Sequence, residues 1–345
     1  MNEKLKKFKI KEDLYVGVVG AGYAAHLRCR ALKKLKNKRI NLASVFDTNL
    51  KNSKEFSEEF LLERSDTLDI MLKNSKINTV TICTPNKFHF EIAKKALQNG
   101  KNVLCEYPLV VDSYNDAEKL FEIADKKNLL IHVGQTMNFD NDLELANEHK
   151  KKFGQLLMGY KYMTFGQAGS WLKLSGFTGN YSGLGQWYIK KELTGGWMIA
   201  ACYHGIQIHR KIFGEVISVY AADSSNKNYG AGSVLMKHEN NASTIVQWGL
   251  PIPGKPFNIM IVTGSNGSVE INDNKYLIST LELTKSGVLK EKDTFFIDSK
   301  LLLDKIDGTV DTTASNIDML RNLKISLLAE KSSKDGKIKI ISLRE

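Results

Sequence analysis

Val16-Gly17-Val18-Val19-Gly20-Ala21-Gly22-Tyr23-Ala24-Ala25 joins a short apolar strand to a glycine turn, and its reading decides the fold. Gly20 permits a tight turn, and Gly22 lets the backbone approach a pyrophosphate. Ala25 stands where a small residue lets the following helix pack on the strand. A helix beginning near Tyr23, with Ala24 in its first turn, points its free N–H groups and positive dipole end at phosphates. Asp47 closes the next strand-like run, Leu42–Phe46, and lies 22 residues beyond Ala25. A carboxylate there accepts both ribose hydroxyls. Glycine turns also occur at ordinary strand ends, where Asp47 would be a solvated acid. Strand, helix and acid in register together read as a dinucleotide site.

With 345 residues the chain is too long for one comfortable core. It divides into a nucleotide domain over residues 1–139 and a second domain over 140–345. A hydrophobic content of 42% with 25% charged residues is ordinary for a soluble globular protein. No apolar run approaches the roughly 18 residues of a membrane helix. Met1–Asp13 is lysine-rich without the apolar core of a secretory signal. Cys29, Cys83, Cys105 and Cys202 are scattered in apolar stretches with no CxxC pair. They read as buried thiols of a reducing, cytoplasmic protein, with no metal site.

The net charge is +11. Nucleic-acid binding needs a clustered basic stripe with aromatics interleaved. Here the lysines spread over helix surfaces, with short runs at Lys4–Lys11, Lys33–Lys38 and Lys150–Lys152. They read as solvated faces, and neither nucleic acid nor membrane is an expected partner. A positive field does favour an anionic cofactor or substrate.

From Leu14 to Phe139, strand-like runs at Tyr15–Val19, Leu42–Phe46, Thr79–Cys83, Asn102–Cys105 and Leu129–Val133 alternate with helical stretches. The helical stretches include His26–Leu35, Glu91–Gln98 and Tyr114–Lys126. This alternation predicts an α/β Rossmann domain, a parallel sheet with helices on both faces. Ligands in such sheets bind at the carboxyl ends of strands. That rule selects Gly20–Ala25, Asp47, Thr84–His89, Glu106–Pro108 and Gln135; a solvent-facing turn is the competing reading for Gln135.

Beyond Asn141 the pattern changes. A helix over Asp142–Lys152 leads to a strand at Leu156–Phe165 and a Gly/Ser-rich stretch from Gly166 to Gly185. A helix over Trp197–Phe213 precedes β-rich runs at Val216–Ala222, Ser233–Lys237, Thr244–Leu250, Asn258–Thr263 and Ser268–Ile271. A helix over Ala314–Lys331 comes last. These predict a C-terminal α+β domain on an open, mostly antiparallel sheet. Val219, Val246, Trp248, Ile259 and Ile261 alternate along it as an apolar face, which implies a homo-oligomer built through this sheet.

Four blocks now resemble one family: the turn Gly20–Ala25; Thr84-Pro85-Asn86-Lys87-Phe88-His89 with Gly100-Lys101-Asn102-Val103; Glu106-Tyr107-Pro108; and Leu193-Thr194-Gly195-Gly196-Trp197 leading to His204. The chain is similar over nearly its whole length to the glucose–fructose oxidoreductase, inositol dehydrogenase and MocA group, called Gfo/Idh/MocA. The resemblance implies a nicotinamide cofactor, with substrate held between the nicotinamide and the second sheet. It implies that Glu106 and Pro108 shape the loop under the nicotinamide, and that Thr84, Pro85, Asn86 and His89 line the cofactor cleft. An Xaa-Pro bond in this cleft is a candidate cis bond, and Thr84-Pro85-Asn86 has a plainer reading as an ordinary strand-end turn.

Two departures stand out. The family's usual lysine between Glu and Pro is Tyr107 here, and its usual aspartate four residues before the histidine is Ala200. A free phenol, with pKa near ~10, is a proton donor at neutral pH rather than a ready base. Glu-Tyr-Pro is also similar to the biliverdin-reductase branch. His204 has a plainer reading as a core histidine, sharing a helix face with Trp197, Ala200, Ala201 and Ile208. Trp187 and Tyr188 precede the glycine entry and are candidates to stack on sugar or nicotinamide, with packing in the loop as the competing reading.

Three functions compete. The first is an NAD(P)-dependent oxidoreductase acting on a hydroxyl or carbonyl of a sugar or cyclitol, with His204 exchanging the proton and Tyr107 on the reacting oxygen. The second reduces a conjugated C=C or C=N bond, as in bilins or cyclic imines, with Tyr107 as donor. The third is a nucleotide-binding regulator without chemistry. Asp47 favours NAD over NADP, because a 2′-phosphate would face a carboxylate.

Overall fold

A computed structural model describes residues 10, 12–37, 39–164, 187, 190–226, 230–250 and 257–342. The basic leader, the Gly166–Gly185 stretch and Tyr188 lie outside the described residues. Two compact units divide the chain: Met1–Thr136 with Asp293–Arg321, and Met137–Lys292 with Asn322–Glu345.

In the first unit the described strands are β1 (Leu14–Val19), β2 (Ile40–Phe46), β3 (Glu63–Arg64), β4 (Thr79–Ile82), β5 (Asn102–Glu106) and β6 (Ile131–Gly134). All pair in parallel, in the order β3-β2-β1-β4-β5-β6. The order reverses between β1 and β4, which opens a crevice at the carboxyl ends of those strands. Val16, Val18 and Val19 are buried, because helices cover both faces of a parallel sheet.

The helices are α1 (Tyr23–Lys34), α2 (Leu50–Phe60), α3 (Leu68–Lys73), α4 (His89–Gln98) and α5 (Tyr114–Lys127). Ala25, Cys29 and Leu32 form the apolar stripe of α1. Ala25 packs in one cluster with Val18, Val45 and Phe56. The expected strands and helices all recur with small boundary changes. Between Asp47 and Thr79 the chain adds α2, α3 and β3, which extend the sheet beyond β2. Asn49 caps α2 by accepting the Lys51 and Asn52 amides.

The second unit carries α6 (Asn141–His149), β7 (Leu156–Thr164), α7 (Lys191–Thr194), α8 (Tyr203–Phe213), β8 (Val216–Asp223), β9 (Gly230–His238) and β10 (Ser243–Leu250). It continues with β11 (Phe257–Gly264), β12 (Gly267–Asn272), β13 (Lys275–Thr280), β14 (Thr284–Val288) and, after α9 (Thr294–Ile306) and α10 (Thr312–Asp335), β15 (Lys339–Ile340). Its described strands form one sheet ordered β14-β13-β12-β11-β7-β10-β9-β8-β15. β7 and β10 pair in parallel, and the other neighbours are antiparallel. No helix of the described residues is long and apolar enough to cross a membrane. All four cysteines are free and buried.

Three expectations need correction. The chain does not divide once at residue 139, because Asp293–Arg321 belongs to the first unit. The reason is burial: Leu302 and Ile306 of α9 pack with Leu14, Val16 and Leu104. The helix expected over Trp197–Phe213 is not one α-helix. Met198–Cys202 is π-helical and α8 begins at Tyr203, so the turn before His204 is one residue wider than α-helical register.

The third correction concerns the sheet face. Val219, Val246 and Trp248 lie in the core with Ile325 and Ala329 of α10, whereas Ile259 and Ile261 point to the opposite face. Side chains alternate in a strand, and the pairing register assigns the outer row. Tyr220 opposes Leu235, Leu235 opposes Ile245, Ile245 opposes Tyr160, and Tyr160 opposes Ile261. Tyr220, Leu235 and Ile245 are each about two-fifths exposed, at 40%, 45% and 39%. The apolar outer face exists, with a different membership.

Candidate active site

Gly20 has φ +90°, and a Cβ there would lie 2.8 Å from the Cys83 carbonyl. Close approach to the end of β4 and a left-handed backbone together restrict this position to glycine. Gly22 differs. It is the N-cap of α1 with φ −87°, and a Cβ there would meet nothing within 4 Å. The protein leaves open space over Gly22 at the N-terminal end of α1, a place whose helix dipole suits an anion. Tyr23 and Ala24 are half-buried in that first turn.

Asp47 closes the turn from the side. Its Oδ2 accepts the Ala21 N–H at 2.7 Å and its Oδ1 accepts the Asn49 N–H at 2.7 Å. Each carboxylate oxygen keeps lone-pair capacity for a ribose hydroxyl. His26, which the sequence reading passed over, steadies the helix start: its Nδ1 lies 2.9 Å from the Gly22 carbonyl and its Nε2 3.2 Å from Glu59.

At the end of β4, Thr84 and Pro85 are half-buried and Asn86 is buried. The Thr84 hydroxyl is buried with no hydrogen-bond partner among the described residues. An unsatisfied buried hydroxyl at a ligand-binding strand end is suited to a cofactor amide or ribose. His89 does something other than line the cleft. It is 1% exposed, with Nδ1 2.6 Å from the Pro108 carbonyl and Nε2 2.8 Å from the Thr84 carbonyl. It links the loops after β4 and β5, and burial lowers its pKa. Gln135 is buried at the end of β6, so it is not a solvent-facing turn.

Glu106 ends β5, the Tyr107–Pro108 peptide is cis, and Tyr107 is half-buried. Burial raises the Glu106 carboxyl, and the Arg28 charge works against it. The Glu106 Oε1 accepts from Arg28 Nε at 2.7 Å, and Asp298 Oδ2 accepts from Arg28 Nη1 at 2.6 Å. His132 Nε2 lies 3.1 Å from the same Asp298 oxygen. Arg28, Asp298 and His132 were not singled out from sequence. The available signal was a charged residue on the buried stripe of α1, three positions after Ala25.

In the second unit, Gly195 and Gly196 have φ +81° and +99° and lead into the π-helical turn. His204 is half-buried, with its ring 5.8 Å from that of Trp248. Burial lowers its pKa to about 4, so the imidazole is neutral at neutral pH. Ala200 is buried and supplies no carboxylate to orient the ring. Trp187 is half-buried, and its carbonyl accepts the Lys190 N–H at 3.0 Å.

Residues 14–135 match the family model described as "Oxidoreductase family, NAD-binding Rossmann fold". Residues 162–270 match the GFO/IDH/MocA C-terminal domain, and the two matches take in more than half of the chain. An uncharacterized oxidoreductase of Streptococcus pneumoniae is 33% identical over 132 residues, 38% of this chain and 35% of that protein. The 2,7-anhydro-N-acetylneuraminate hydratase of Escherichia coli is 23% identical over 267 residues, covering 74% of this chain and 67% of the relative. The chain thus spans about a third of the former's length. Biliverdin reductase from Synechocystis, solved with biliverdin and NADP+, superposes with a TM-score of 0.80 at 22% identity, covering 93% and 99% of the two chains. That likeness is one of fold.

Proposed function

The chain belongs to the Gfo/Idh/MocA family of oxidoreductases, and on that premise we propose that it is an NAD-dependent dehydrogenase or reductase. Its substrate is a small anionic sugar or cyclitol derivative that reacts at a hydroxyl or carbonyl carbon. The carrying observation is the open space over Gly22 after β1, together with the Thr84 hydroxyl after the adjacent β4, which has no hydrogen-bond partner among the described residues. Gly22 and the first amides of α1 bind the pyrophosphate, and Asp47 takes the ribose. Thr84, Pro85, Asn86, Glu106, Pro108 and Gln135 frame the nicotinamide half, with His89 acting behind them as the link between loops. NAD(H), when bound, supplies or accepts the hydride.

Tyr107 hydrogen-bonds the reacting oxygen in both directions of the reaction. His204, neutral by burial, exchanges the proton at that oxygen, accepting it from the hydroxyl during oxidation and returning it during reduction. Trp187 packs against the substrate. The net charge of +11 favours an anionic substrate, and the Escherichia coli relative is named for a neuraminate derivative.

The test is turnover of NAD+ or NADH with a panel of sugar acids, sugar phosphates, cyclitols, cyclic imines and bilins. Oxidation or reduction of a sugar or cyclitol supports the assignment. Consumption of NADH with bilins or imines alone would transfer it to the conjugated-bond reductase. Tight NADH binding without turnover across the panel would favour the regulator.

A further inference from the structure

Charged side chains are rarely buried completely unless they are paired, and Arg28 is fully buried. Its guanidinium is shared between two carboxylates from distant parts of the first unit. Nε donates to Glu106 Oε1 at 2.7 Å, and Nη1 donates to Asp298 Oδ2 at 2.6 Å and to Ser299 Oγ at 3.2 Å. The Phe295 ring lies 5.0 Å from the guanidinium carbon. Gly134 makes room for the arrangement: a Cβ there would lie 2.5 Å from Arg28 Nη2 and 3.0 Å from Glu106 Oε2. Helices α1 and α9 and strand β5 are thereby joined through one side chain.

We infer that Arg28 is a positioning residue that fixes Glu106 and, through it, the Glu106-Tyr107-Pro108 loop against the nicotinamide half of the cofactor. The inference rests on the nucleotide-dependent reading above. Rossmann sheets bind the two mononucleotide halves on either side of the switch point. Asp47 follows β2, so the adenosine half lies over β1 and β2, and the nicotinamide half lies over β4, β5 and β6. Glu106 is the last residue of β5. Its carboxylate cannot move without taking from the buried guanidinium one of the two carboxylates that hold it, which ties the strand end to the helix behind it. Asp298 and Ser299 hold the opposite edge of the guanidinium, so the return of α9 to the first unit serves the site as well as the core.

The consequence is a separation of effects along the cofactor. NADH and ADP-ribose share the adenosine and pyrophosphate contacts, and only NADH carries the nicotinamide ring. Arg28→Lys replaces a planar fork by a single ammonium that cannot hold Glu106 and Asp298 in the same geometry. Gly134→Ala keeps every charge and displaces the guanidinium by sterics alone, so it stands in if Arg28→Lys does not fold. Titration calorimetry of NADH and ADP-ribose, with the fluorescence of bound NADH, reads the outcome without any substrate. Wild type should bind NADH more tightly than ADP-ribose. Each variant should lose at least about tenfold in NADH affinity, with altered bound-state fluorescence and ADP-ribose affinity within about twofold of wild type. Equal losses for both ligands, or no loss for either, would overturn the positioning role. Failure of wild type to bind either ligand would instead remove the nucleotide reading, and this inference with it.

Discussion

Asp47 and Ala21 are joined by a 2.7 Å hydrogen bond from the Ala21 N–H to Oδ2, which fastens the acid at the end of β2 to the glycine turn after β1. On the proposed binding mode the carboxylate is held beside the ribose 2′ position. A 2′-phosphate there meets a fixed negative charge, and like charges in contact cost several kcal/mol. Lys51 is well exposed and lies 3.9 Å from Glu55, so it does not offset that repulsion. Wild type should bind NADH at least about tenfold more tightly than NADPH. Asp47→Ala should narrow the difference without abolishing binding. Tighter NADPH binding by wild type in calorimetry would refute the preference.

Tyr107→Phe keeps the ring and removes only the hydroxyl. NADH affinity should stay near wild type while turnover falls by roughly 10²- to 10³-fold, the usual worth of a hydrogen-bond donor aimed at the reacting oxygen. Wild-type turnover in this variant would make Tyr107 a packing residue.

His204 should act as a base whose acid limb lies low. Burial sets its pKa to about 4, so oxidation should hold its rate as pH falls through the ordinary histidine range, then decline toward about pH 4. His204→Ala should lower turnover by roughly 10²-fold or more and remove that limb. A limb near the ordinary histidine value of 6.5 in wild type would contradict the neutral, buried ring.

Stability should fall with acid for the same reason. His204 and His132 are both lowered to about 4 from 6.5. Below the unfolded value the unfolded chain binds protons that the native chain does not, so native stability drops as pH falls between those two values and then levels. Each histidine removes roughly 2 kcal/mol by about pH 5. Urea midpoints measured at about pH 7 and about pH 5 should show the decrease. An unchanged midpoint would mean that these rings titrate normally in the native protein.

The outer row Tyr220, Leu235, Ile245, Tyr160 and Ile261 is an apolar band crossing five strands, and a second copy of the chain is its proposed cover. Light scattering at micromolar concentration should return more than one chain per particle, and Ile245→Lys should return one. A single-chain mass for wild type would reject the assembly.

The first half of the chain was legible because its signals are local. Gly20, Gly22, Ala25 and Asp47 sit at spacings imposed by one strand–turn–helix unit, and the structure keeps them together. In the second half, apolar alternation located the strands but mixed the two sheet faces. Val219, Val246 and Trp248 were grouped with Ile259 and Ile261, although the strands carrying them are joined through β7. Register between strands is set by pairing across the sheet, and alternation within each run does not carry it. The wider turn at Met198–Cys202 was invisible for a related reason, since backbone register there is a packing outcome.

The sequence by itself determined the Rossmann unit, the positions of its strand ends, the mostly antiparallel second sheet and the departures at Tyr107 and Ala200. Those features depend on residue type and short spacing, which chain geometry converts directly into turns and faces. Only the tertiary structure decided that His89 links two loops and that His204 is a neutral imidazole. It also decided that Arg28 bridges Glu106 to Asp298, which lies 270 residues beyond Arg28 itself. Each of these follows from desolvation and pairing inside a packed interior. A buried charge or ring nitrogen takes its state from whatever neighbours the fold delivers, and those neighbours are remote in sequence.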